Sequence, residues 1–184
     1  MHRQHRRRQY RPRLEELETR ILLAAARWDG SLALGVPGDG ISWNDVNNWS
    51  VDGTVDIAPA DQAPGDNVSF PAGAPSSTIN LNNNRTVNSL TFASDQTLVG
   101  HTLSLTTGEI AVEEGVKTTV ESNIIVGESQ FLRKSGSGVL VLTGSAPVTL
   151  VEEGTVSGSG TLASLSVLEG GAISTGSDIG TLTI

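Results

Sequence analysis

Residues 133 to 144, RKSGSGVLVLTG, bring together a basic pair, three glycines and hydroxyl side chains, the residue types of a loop that holds phosphate. Such a loop places its glycines ahead of the lysine and starts a helix just behind it, so that free backbone amides point at the anion. Here Lys134 comes before Gly136 and Gly138, and the residues that follow alternate apolar and polar as a strand does. The order of residues assigns these glycines to a corner of the chain that binds nothing.

The remaining candidates for chemistry are few. His2 and His5 lie in an arginine-rich tail, and His101 follows Gly100 at a turn with no partner of triad type near it. A nucleophile elbow of the form Gly-x-Ser-x-Gly is absent. Glu113-Glu114 and Glu152-Glu153 are adjacent pairs beside glycine, and neighbours on a strand point to opposite faces, so neither pair reads as an acid and base on one sugar. Asp45, Asn47, Asn48 and Asp52 offer oxygen ligands of the kind calcium takes, without the glycine and final glutamate of an EF-hand loop. The expectation is no catalytic, cofactor-binding or metal site, and no enzyme. Trp28, Trp43 and Trp49 have two readings. They form a platform for stacking sugar rings, or they plug one open end of a repetitive β-structure, which needs a dedicated cover; the plug is preferred.

Composition narrows the classes further. Among the 184 residues there is no cysteine, which excludes disulfides, thiolate metal sites and a cysteine nucleophile. Residues 1 to 27 hold eight arginines against three glutamates, whereas the other 157 hold four basic residues against 17 acidic ones, a net of −13. A body so acidic repels nucleic acid and anionic membrane surfaces. No apolar run approaches the ~18 residues that span a bilayer.

The chain divides into three parts. Residues 1–27 form a basic targeting segment whose apolar positions 14, 17, 21 and 25 follow helical spacing, so a short helix is expected there. Residues 28–76 form a Trp-rich cap region dominated by turn residues. Residues 77–184 consist of short alternating segments, such as TVNSLTF, GVLVLTG and PVTLVEEGTV, punctuated by Gly, Ser-Gly and Asn-Asn. VEEG and SGSG each occur twice. The fold class is all-β. A right-handed parallel β-helix of about five coils of roughly 20 residues accounts for the short strands and the aliphatic interior; a β-sandwich, with longer strands and core aromatics, is the alternative.

Two stretches resemble known families. RPRLEELETRILLAA, through Leu14, Glu15, Leu17, Glu18, Arg20, Leu22 and Leu23, is similar to the Leu-Glu-x-Leu-Glu-x-Arg-x-Leu-Leu motif near the start of many planctomycete extracellular proteins, which implies export. Lys134, Gly136, Gly138, Leu140, Leu142 and Gly144 match the core of the autotransporter-associated β-strand repeat, and Trp28, Trp43, Asn48 and Trp49, followed by Pro64, Gly65, Asp66 and Phe70, resemble the cap ahead of such repeats. The resemblance implies a secreted or cell-surface β-helical passenger, a non-catalytic structural or adhesive module facing extracellular matrix or a glycan surface. Two alternatives stay open: a glycan-binding or glycan-processing β-helix using Trp43 and Trp49, and the N-terminal fragment of a larger secreted passenger.

Overall fold

The structure, a computed structural model, describes residues 25–30, 37–51, 58–59, 61, 65–75, 77–127, 131–174 and 183–184. Its strands are β1 (Ala25–Trp28), β2 (Trp49–Val51), β3 (Asn67–Phe70), β4 (Ser77–Asn80), β5 (Arg85–Phe92), β6 (Gln96–Val99), β7 (Thr102–Val112), β8 (Lys117–Val120), β9 (Asn123–Val126), β10 (Leu132–Ser135), β11 (Val139–Leu142), β12 (Ser145–Val151), β13 (Gly154–Gly158), β14 (Thr161–Val167) and β15 (Gly171–Ser174).

They form two parallel sheets through which the chain passes in turn. One stacks β14, β12, β10, β7, β5, β3, β1 and β2, with β9 beside β7; the other stacks β15, β13, β11, β8, β6 and β4. The chain therefore winds through about five turns of a β-solenoid. Every named pairing is parallel except β1 with β2. A sandwich of antiparallel hairpins is thereby set aside.

Alternation explains why the strands form and which face they bury. Leu98, Val120 and Leu142 stack inward in one register, as do Phe70, Phe92 and Val112 in the other sheet. Each buried aliphatic side chain of this kind stabilises by about 1.5–3 kcal/mol. Coil length is not constant. Register partners advance by 22 residues from Lys117 to Val139, then by 16 from Val139 to Thr155.

Several expectations need correction. Up to residue 24 the expected N-terminal helix lies outside the described residues, and Ala25, which its spacing included, belongs to β1. Pairing with β3 and β2 overrides local helical spacing there. The parallel sheet also begins ahead of residue 77, because β1 and β3 belong to it. TLSLTT and EIAV join through Gly108 (φ 70°) into the 11-residue β7, with a register shift against β5 between Val87 and Ser89. Among the described residues, no helix is long and apolar enough to cross a membrane.

Candidate functional site

The basic-glycine stretch lies on the corner between the two sheets. β10 supplies Leu132 and Lys134 to the inside and Arg133 to the outside. Lys134 is fully buried, in register between Ile110 below and Val151 above. Its Nζ donates to the carbonyls of Ser135 (2.8 Å) and Gly136 in its own turn and of Glu153 (3.0 Å) in the next. Three donors meet three acceptors, which is what makes a buried ammonium tolerable. Burial still pulls its pKa down to about 8, opposed by the nearby charge of Glu153.

Gly136 takes φ 72°, and a Cβ there would stand 2.3 Å from the Val112 carbonyl oxygen. A Cβ on Gly138 would stand 2.1 Å from that of Glu113. Only glycine lets the coils come this close. The amides a phosphate would need are already committed, since Gly138 N–H donates to Val112 (3.0 Å) and Val139 N–H to Val116 (2.9 Å). The expected corner stands, with one addition: its carbonyls hold a cation, the chain's own lysine. Leu140 and Leu142 point into the core, and a Cβ on Gly144 would meet the Ser122 carbonyl at 2.4 Å.

The tryptophans lie at the other end. Trp28, Trp43, Trp49 and Phe70 are all 0% exposed, so none offers a ring face to a sugar. Trp49 meets Trp28 and Trp43 edge-on at 4.8 and 4.7 Å, and its Nε1 donates to the Trp43 carbonyl (2.8 Å). Phe70 stacks flat on Phe92 at 4.6 Å, carrying the aromatic plug into the next coil. Buried Arg85 ties the plug to the coils: Nε donates to Leu81 (2.7 Å) and its terminal nitrogens reach Asp61 and Asn44.

Of the calcium candidates, Asp52 lies outside the described residues. Asp45 caps a short 3-10 turn (Val46–Asn48) by accepting from Asn47 N–H (3.0 Å), and its other oxygen accepts from Asp39 N–H (2.8 Å). Asn48 is buried; its Oδ1 accepts from Gly40 N–H, and its Nδ2 donates to Asp39 Oδ1 and the Ser42 carbonyl. Burial opposes the charge of neighbouring Asp39. Donations from the Ser42 side chain, the Ile41 and Ser42 amides and the Asn48 side chain outweigh it and hold the carboxyl well below the usual range. These oxygens are turned onto the loop's own amides. Among the described residues, no group of three or more His, Asp or Glu side chains gathers as a metal site would.

His101 is exposed at a corner with φ 49°, and Glu113 and Glu114 are exposed on the corner one turn before Gly136. Glu152 instead pairs with Arg133 across coils. A cleft of about 430 Å³ beside the plug is lined in part by Arg27, Asp29, Ser50 and Ser69. It gathers one cation, one carboxylate and two hydroxyls, and its described lining lacks the second carboxylate that glycoside cleavage uses.

Sequence reading missed the burial of Lys134 and Arg85. The signal was their phase: each shares strand parity with an inward neighbour, Leu132 and Val87 respectively. Comparison of the chain with known protein families, with curated proteins and with solved structures finds no match.

Proposed function

We propose that this chain is an exported, non-catalytic β-solenoid that serves as a stiff structural or adhesive module at the cell surface or in extracellular matrix. The observation that supports the reading is where its reactive groups are spent. Lys134 is consumed by three corner carbonyls, Asp39 and Asp45 by loop amides, and Arg133 by Glu152. One outer row repeats coil by coil: Thr78, Thr97 and Thr119 follow one another in register on one sheet before Val141 takes the place. A rod stabilised coil by coil through nearest-neighbour contacts is an extended scaffold on which such rows are displayed.

Export is tested by expressing the full chain with a C-terminal epitope and shaving intact cells with protease. Loss of the epitope from intact cells is expected, and full retention in the cytosolic fraction refutes export. Adhesion is tested separately, by binding of purified protein to isolated cell envelopes and to immobilised polysaccharides. Turnover of any polysaccharide in the same samples refutes the non-catalytic reading.

A further inference from the structure

The column Val68, Leu90, Ile110, Lys134 and Val151 runs inward along one sheet, each residue opposite the next in register. Four of the five are interchangeable aliphatics. Alternation alone therefore fixes coil-on-coil register only to within steps of two, because a two-residue slip keeps every inward side chain inward. The ambiguity matters most where the coil shortens. The advance falls from 22 residues (Lys117 to Val139) to 16 (Val139 to Thr155) in one sheet, and from 24 (Ile110 to Lys134) to 17 (Lys134 to Val151) in the sheet that holds Lys134. Nothing in the apolar pattern tells the short coil where to stop.

Lys134 sits at this junction. Its ammonium needs three acceptors, two in its own turn (Ser135, Gly136) and one in the next (Glu153). A slip of two residues takes the Glu153 carbonyl away from Nζ and leaves a donor of a buried charged group without its partner, at a cost an aliphatic residue would never incur. We infer that Lys134 is a register pin, a buried cation that fixes the short coil beginning at β12 onto the long coil ending at β11. Its role matches that of a single buried polar residue that sets register in a coiled coil.

A competing pin exists in Gly154, whose added Cβ would lie 2.5 Å from the carbonyl oxygens of both Gly136 and Gly138, so that bulkier residues are excluded from that place. The test separates attraction by lysine from exclusion at glycine. The chain has no cysteine, so engineered pairs report register cleanly. Val139→Cys with Thr155→Cys reports the native register; Val141→Cys with Thr155→Cys and Val139→Cys with Ser157→Cys report slips of two in either direction. Across adjacent strands such diagonal pairs are about 8 Å apart, beyond the ~7 Å a disulfide bridges. With Lys134 present, only the native pair is expected to oxidise. In Lys134→Met, and in Lys134→Ile, which places there the residue the column carries at 110, a slipped pair is expected to oxidise at least severalfold faster while circular dichroism stays β-rich. Native-only cross-linking in a folded apolar variant assigns the register to Gly154 and overturns the inference. Failure of both apolar variants to fold assigns Lys134 to stability instead, and overturns it too.

Discussion

Replacing Gly138 by alanine adds one methyl group at a place where two coils touch. Its Cβ would stand 2.1 Å from the Glu113 carbonyl oxygen, 2.8 Å from Val112 Cγ1 and 2.8 Å from the Val116 carbonyl oxygen. Contacts below 3.0 Å are essentially never made, so the coils must part by roughly 0.9 Å at this corner. That displacement stretches the bonds Gly138 N–H to Val112 (3.0 Å) and Val139 N–H to Val116 (2.9 Å) towards about 4 Å, outside hydrogen-bonding range. At about 1 kcal/mol net for each bond, the loss is about 2 kcal/mol, or roughly 4–8 °C in Tm for a chain of this size. Gly115→Ala is the control: its φ of 76° strains alanine, but a Cβ there meets nothing within 4 Å. It should cost only the left-handed penalty of about 1–2 kcal/mol. Calorimetry gives the totals, and hydrogen exchange at residue 138 and at Val139 reads the corner itself. If Gly138→Ala melts no lower than Gly115→Ala, or leaves those two amides as protected as before, close coil contact is not why glycine stands there.

Lys134 gives stability a pH dependence whose sign follows from its lowered pKa. Between about pH 8 and the unfolded lysine value of 10.5 the native chain has released a proton that the unfolded chain still holds, so stability rises with pH. Urea midpoints should climb across that window in the wild type and lose that slope in Lys134→Met; a slope shared by both assigns it to other groups. Arg85→Met should destabilise by about 2 kcal/mol, less than breaking a fully buried pair, because Asp61 is 41% exposed. Tryptophan emission should shift to the red as the plug loosens, and an unshifted spectrum would detach Arg85 from the plug. Leu140→Asp should exceed the 2–5 kcal/mol of a buried leucine-to-alanine change and unfold the adjacent coils, since Leu140 is fully buried between Thr118 and Val156 in register. An unchanged melting curve would remove Leu140 from the core.

The solenoid was legible because its strands are short and alternate, which favours stacking over long antiparallel pairing. Lys134 and Arg85 were not, although their phase marked both as inward. A charged side chain argues for solvent unless acceptors are waiting, and here the acceptors are main-chain carbonyls of Ser135, Gly136, Glu153 and Leu81, which carry no signature in residue type. The strand β10 was missed for the same reason, since LRKS has one apolar residue in four. Trp28, Trp43 and Trp49 were legible as a plug by size alone, whereas the continuation through Phe70 onto Phe92 depends on register between β3 and β5 that local pattern does not set.

Register also accounts for the gradient of core side chains along the axis. The core begins with three tryptophans and two phenylalanines, and among the described residues past Val139 it holds nothing larger than leucine: Leu140, Leu142, Ala146, Val151, Val156 and Leu162. A coil with fewer residues encloses a smaller cross-section, and interiors are packed to crystal density, so side-chain size has to fall as the coil shortens. β12 runs from Ser145 to Val151 through Pro147 over ground where the preceding coil needs both β9 and β10 with a connection between them. Aromatic side chains past Val139 would force the short coils apart. Size and perimeter are thus one constraint expressed twice, and a swap such as Ala146→Leu should cost more than its own methylenes, because the coil cannot lengthen to receive it.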